Sequence, residues 1–142
     1  MHYFRPKITN YLLVVRKIVY VSAILWTAII AVLCLAKFGK LPSFGVSGID
    51  KYVHFTFHFV FTLLWGYFSW LKQPEMELKL IVKIVLISLF YGIVIELLQE
   101  TCTTTRHADV FDVVANLSGA ATAFVCFIFL KKRIGKPNYT NQ

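Results

Sequence analysis

VVANLSGAATAFVCFIFL, residues 113–130, runs for eighteen residues without a formal charge. A helix rises about 1.5 Å per residue, so this stretch reaches most of the way across a hydrocarbon layer about 30 Å thick. The residues just outside it are of another kind. Arg106-His107-Ala108-Asp109-Val110-Phe111-Asp112 leads into the run, and Asn116 follows within its first turns. The preceding apolar segment closes on Ile95-Glu96-Leu97-Leu98-Gln99. Acids, an amide and an arginine therefore sit at the ends of two segments that otherwise suit lipid. Ionisable groups so placed mark a functional hypothesis.

The rest of the chain repeats the pattern. Ile18 to Ala36 carries no charge, and Val53 to Leu71 holds only His54 and His58 as ionisable groups. Leu80 to Leu98 is broken by Lys83 and Glu96 alone. Hydrophobic residues make up 58% of the 142 positions, and the mean hydropathy is +0.67. Few soluble domains reach that level. The expectation is an all-α polytopic membrane protein: four transmembrane helices, at about 18–36, 52–71, 80–98 and 110–130, in one antiparallel bundle spanning residues 1–142 as a single domain. The first run is longer than the usual signal-peptide core and follows a long basic region, so it reads as an uncleaved helix. Cys34, Cys102 and Cys126 are odd in number and far apart, which gives neither a disulfide framework nor a zinc motif.

The net charge of +8 is distributed by topology rather than for nucleic acid. Eleven of the fifteen basic residues flank the inner ends of such a bundle: Arg5, Lys7, Arg16 and Lys17, then Lys72, Lys79 and Lys83, then Lys131, Lys132, Arg133 and Lys136. The positive-inside rule puts these ends and both termini in the cytoplasm. Trp65, Tyr67 and Trp70 then read as an aromatic belt at the inner interface.

This topology gathers nearly every unusual polar residue at the outer side. Asp50, Lys51, His54 and His58 lie in the outer half of the second helix. Glu96, Gln99 and Glu100 end the third. Arg106, Asp109, Asp112 and Asn116 lead into the fourth. Asp50, His54 and His58 step by four and share one helical face, as do Glu96 and Gln99, or Glu96 and Glu100; Asp109, Asp112 and Asn116 step by three and four. Each residue also has a bland reading. Asp50 and Asp109 suit N-caps, and Asp112 suits the positive end of a helix. Arg106 could pair with Glu96 or Asp112, and Asn116 could hydrogen-bond between helices. His58, Tyr91 and Gly92 read as packing, and Gly119 as a point of close helix approach.

With these residues placed, the chain resembles the VanZ-like family of bacterial integral membrane proteins. The likeness lies in Asp50-Lys51-x-x-His54-Phe55, Glu96-x-x-Gln99, and Arg106-x-x-Asp109-x-x-Asp112-x-x-x-Asn116-x-x-Gly119, over roughly residues 15–130. His58 stands where family members commonly have an aromatic, and Thr101–Thr105 lacks the proline often seen before the arginine. The resemblance implies a cell-envelope protein linked to low-level resistance to the glycopeptide teicoplanin, without a settled biochemical activity.

Three functions follow as expectations. In the first, Asp50, Lys51, His54, Glu96, Gln99, Arg106, Asp109, Asp112 and Asn116 form a binding site at the outer leaflet of the bacterial cytoplasmic membrane. Its ligand is an anionic lipid or a lipid-linked cell-wall precursor, and its partners are membrane lipids or a lipoglycopeptide antibiotic, not nucleic acid. In the second, an intramembrane enzyme modifies such a lipid, with His54 as base and Glu96 and Asp112 as partners. These three could also hold a metal, although no H-E-x-x-H spacing is present. No cofactor is expected. The third is a small transporter, which the apolar inner half disfavours.

Overall fold

The computed structural model describes residues 5–36, 48–73, 77–102 and 109–134, with the side chains of residues 5–9, 131 and 134 left out. Helix accounts for 95% of the described residues, and there is no strand among them. The elements are α1 (Arg5–Leu35), α2 (Ile49–Lys72), α3 (Leu78–Cys102) and α4 (Val110–Ile134). The all-α bundle expected from the apolar runs is what forms.

The helix ends differ from those expected. α1 begins thirteen residues before the apolar run, because Arg16 and Lys17 end hydrophobicity without ending helix. Long basic side chains are good helix formers and carry their charge outward on an apolar stem. α2 begins three residues early, and α3 and α4 each run four residues further. Asp50 is not the N-cap of α2. That position belongs to Gly48, whose φ of 83° is left-handed and suits glycine.

α1, α3 and α4 are each long and apolar enough to cross a membrane. α2 matches them in length, but much of its apolar surface is aromatic, and buried histidines interrupt it. The bundle is dressed for lipid: Leu25, Val32, Leu86, Phe90, Leu97 and Phe129 all point outward. Apolar surface of that extent is not carried by soluble monomers.

Consecutive helices run antiparallel. Tyr20 meets Phe68, and Trp26 meets Phe57, so α1 descends as α2 rises. The most extensive packing, however, is between α2 and α4, which run parallel. α2 touches all three other helices, whereas α1 and α4 do not pack on each other among the described residues. Two glycines set the α2–α4 seam. A Cβ on Gly119 would run into the Phe55 carbonyl oxygen, so the two backbones are in contact there. A Cβ on Gly66 would meet the Phe127 ring at 3.4 Å.

Two apolar clusters fill the interior. Ile30, Cys34, Phe61 and Ile95 join α1, α2 and α3. Trp70, Ile81 and Phe127 join the other end of α2 to α3 and α4. This corrects the aromatic belt. Trp70 is buried, and Trp65 packs inward and donates its indole N–H to the Thr27 hydroxyl at 3.3 Å. Only Tyr67 of the three is exposed, as an interfacial aromatic would be.

Candidate functional site

The parallel run of α2 and α4 brings two helix N-termini side by side, and the C-terminal part of α3 closes the third side. Polar residues spaced by three or four on each helix then meet at one end of the bundle. They form two tiers.

The upper tier is half exposed and centres on Lys51. Its ammonium donates to Asp109 Oδ2 at 2.9 Å and Asp50 Oδ2 at 3.2 Å, and lies 3.5 Å from Asp112 Oδ1. Three carboxylates, two of them from α4 and the residue that caps it, share one lysine. The Lys51 hydrogen bond holds the Asp109 carboxyl below its ordinary range, and the Asp109 hydrogen bond in turn pushes the Lys51 ammonium up. Asp109 caps α4 through its Oδ1, which accepts the Phe111 backbone N–H at 2.8 Å. The expected N-cap role is present there, together with the ion pair.

The lower tier is buried. His54 is 4% exposed, Glu96 3%, Asp112 8% and Asn116 1%. His54 Nδ1 lies 3.2 Å from Asn116 Oδ1 and 3.5 Å from Glu96 Oε1. On the other side of the ring, Nε2 lies 3.8 Å from Asp112 Oδ2. Glu96 Oε2 turns upward and accepts the Asp109 backbone N–H at 3.4 Å. One ligand-type atom each from His54, Glu96 and Asp112 falls within 4.8 Å of the others. Asp50, Asp109 and Asp112 make a second such set in the upper tier.

Below this histidine, His58 is fully buried and its Nδ1 is 2.8 Å from the Ser88 hydroxyl. Its ring also lies against Phe61 and Tyr91, so the packing role expected of it holds, with a hydrogen bond added. Gly92 makes room for this layer. A Cβ there would sit 2.6 Å from Asn116 Nδ2 and 3.0 Å from His58 Cε1.

The structure thus unites six of the nine expected site residues directly: Asp50, Lys51, His54, Glu96, Asp109 and Asp112. Asn116 joins them through His54. Gln99 is buried but turns toward α1, donating to the Cys34 carbonyl at 3.0 Å. Glu100 is exposed. Arg106 lies outside the described residues. Ser88 is a member of the site that sequence reasoning missed. The signal was present in its spacing: Ser88, Gly92 and Glu96 step by four along α3, the same stripe that Asp50, His54 and His58 make on α2.

A cleft of about 330 Å³ lies beside the His58 layer, below the lower tier. It is lined by Thr27, Phe61, Trp65, Ile84, Ile87 and Tyr91, and its exposed surface is apolar. Phe61 and Tyr91 also touch His58, so the His58 layer stands between the polar cluster and the cleft.

The chain is similar to an uncharacterized protein of Schizosaccharomyces pombe. The two are 33% identical over 105 residues, which is 74% of this chain and 62% of the yeast protein. The chain therefore spans less than two thirds of that relative. No solved structure matches it. The family model VanZ/LLP1 matches residues 5–131, which takes in all four helices and both tiers of the cluster. The chain is a membrane-spanning member of the VanZ/LLP1 family.

Proposed function

We propose that the polar end of the bundle binds the headgroup of a membrane lipid or lipid-linked envelope precursor, with an acyl chain in the apolar cleft below. The observation that carries this is the graded burial of one continuous cluster. Lys51 and its acids form a half-exposed mouth over the buried His54, Glu96, Asp112 and Asn116. Polar groups above an apolar cleft match the two halves of a lipid.

The acids narrow the headgroup. A purely anionic group would meet Asp50, Asp109 and Asp112 as well as Lys51. A phosphate headgroup that also carries an ammonium or hydroxyl groups satisfies both signs. A family relative in a yeast supports a lipid phosphate over a ligand confined to bacterial walls. All four helices cross the membrane in this reading, with both termini in the cytoplasm and the cluster facing outward, as the basic residues suggest. Binding at that surface would place the protein where a lipid-anchored glycopeptide acts, which is how a link to teicoplanin resistance would arise.

Mass spectrometry of lipids that co-purify with the protein tests the reading. The wild type is expected to carry one enriched phospholipid class that Lys51→Met loses. Equal lipid content in the two proteins would overturn it. Orientation is tested on Cys102, which is exposed at the cluster end. A membrane-impermeant maleimide should label it in intact cells.

A second reading is catalysis on the same headgroup. It is favoured by the seating of His54 between Glu96 and Asp112, the arrangement of a general base with carboxylate partners. Turnover of a bound lipid by wild type but not by His54→Gln would establish it, and an unchanged phenotype with Glu96→Gln would exclude it.

A further inference from the structure

We infer that His54, Glu96 and Asp112 form a site for one divalent transition-metal ion. The argument begins with what surrounds the imidazole. Both ring nitrogens face oxygen acceptors: Asn116 Oδ1 at 3.2 Å and Glu96 Oε1 at 3.5 Å around Nδ1, and Asp112 Oδ2 at 3.8 Å from Nε2. A neutral imidazole donates from one nitrogen only. In either neutral tautomer the other nitrogen turns its lone pair toward a carboxylate or amide oxygen, which a second ring proton or a bound cation relieves. The separations below favour the cation.

The carboxylates point the same way. Each divides its oxygens between the two tiers. Asp112 Oδ1 turns to Lys51 and Oδ2 to His54. Glu96 Oε2 turns to the Asp109 N–H and Oε1 to His54. Two acids thus present one oxygen each to one buried histidine. Both acids are buried, Glu96 at 3% and Asp112 at 8% exposed.

The spacing suits an ion better than a proton. A separation of 3.8 Å is too long for a hydrogen bond. It is ordinary for two ligand atoms each about 2.1 Å from one metal. The ligand atoms of the triad all lie within 4.8 Å of one another. One imidazole and two carboxylates favour Mn²⁺, Fe²⁺ or Zn²⁺ over Ca²⁺ or Mg²⁺, which prefer all-oxygen sites. Asn116 Oδ1, 3.2 Å from Nδ1, helps to orient the ring. The adjoining upper set, Asp50, Asp109 and Asp112, has no nitrogen and already holds Lys51.

The ion would also let a phosphate approach these acids by bridging to it. That extension rests on the headgroup reading, whereas the ion itself does not.

Titration of the chelator-treated, detergent-purified full chain with Mn²⁺ tests the site, followed by electron spin-echo modulation. The expected result is one tightly held Mn²⁺ per chain with coupling to an imidazole nitrogen. Glu96→Gln and Asp112→Asn should each weaken it by about tenfold or more. The wild-type spectrum decides even if a variant fails to fold. Failure of the monodisperse wild type to hold one ion overturns the site. So does binding without nitrogen coupling, which would assign the ion to the acidic upper set. Metal is added without lipid, so loss of this result leaves the lipid measurement untouched.

Discussion

The two ends of the α2–α4 seam use the same device for opposite purposes. At one end Gly119 lets the α4 backbone touch the Phe55 carbonyl, and the space above is filled with His54, Asp112 and Asn116. At the other end Gly66 faces the Phe127 ring, and the surroundings are Trp70 and Ile81. Close approach at the polar end shortens the distance that small polar side chains must span, so Asn116 reaches His54 directly. At the apolar end a ring fills the gap, and its position can adjust. The seam is therefore rigid where hydrogen-bond lengths matter and forgiving where only volume matters.

Substitutions can break this contrast, starting where the effect is greatest. Gly119→Ala drives a methyl group into a backbone carbonyl that cannot rotate away. Its cost is expected at or above the top of the roughly 1–3 kcal/mol range for overpacking, read as lost monodisperse protein or a sharply lowered Tm in detergent. A Tm indistinguishable from wild type would show that the helices separate easily and that the seam is not rigid.

Ser88→Ala comes next. It removes the 2.8 Å partner of a buried histidine and should cost about 1–3 kcal/mol, seen as a lower Tm. His58→Phe in the same protein should recover part of the loss, because the ring contacts with Phe61 and Tyr91 persist and no polar nitrogen is left unsatisfied.

A smaller effect belongs to the mouth of the cluster. Lys51 depresses the Asp109 pKa below 3.8, so the stabilisation is present above pH 3.8 and is lost as pH falls through the lower folded value. Lys51→Met should raise the midpoint of acid unfolding. An unmoved midpoint would mean that the pair contributes nothing, as is common for exposed ion pairs.

Gly66→Ala should change least. The added methyl touches Phe127 close to ordinary contact distance, and alanine favours helix over glycine by about 1 kcal/mol, so the Tm should hold or rise slightly. A large loss would make both ends of the seam equally strict.

The apolar runs made the four helices legible, because a stretch of about eighteen apolar residues is the length a helix needs to cross a bilayer. Helix ends were less so. Charge marks where lipid stops, while helix continues through Arg16 and Lys17. Convergence of Asp50, Lys51 and His54 with Asp109 and Asp112 followed from periodicity plus topology. Gln99 shows where that argument fails: it shares a face with Glu96 by spacing, yet it is one step around the helix and serves α1 instead. The parallel α2–α4 contact was invisible for another reason. An alternating topology fixes which helices run the same way but not which of them touch; Gly119 hinted at a close approach without naming Phe55 as its partner.

One consequence lies in how α1 is fastened. Trp26 donates to the Phe57 carbonyl at 3.0 Å, Tyr91 to the Thr27 carbonyl at 2.7 Å, and Gln99 to the Cys34 carbonyl at 3.0 Å. All three of these acceptors are main chain. Such clasps depend on where a helix runs and not on which residues it displays at the gripped positions. The main-chain grip itself is indifferent to the side chains at 27, 34 and 57; what restricts those positions is the Trp65 hydrogen bond to the Thr27 hydroxyl, the core packing of Cys34 and the Phe57 ring against Trp26.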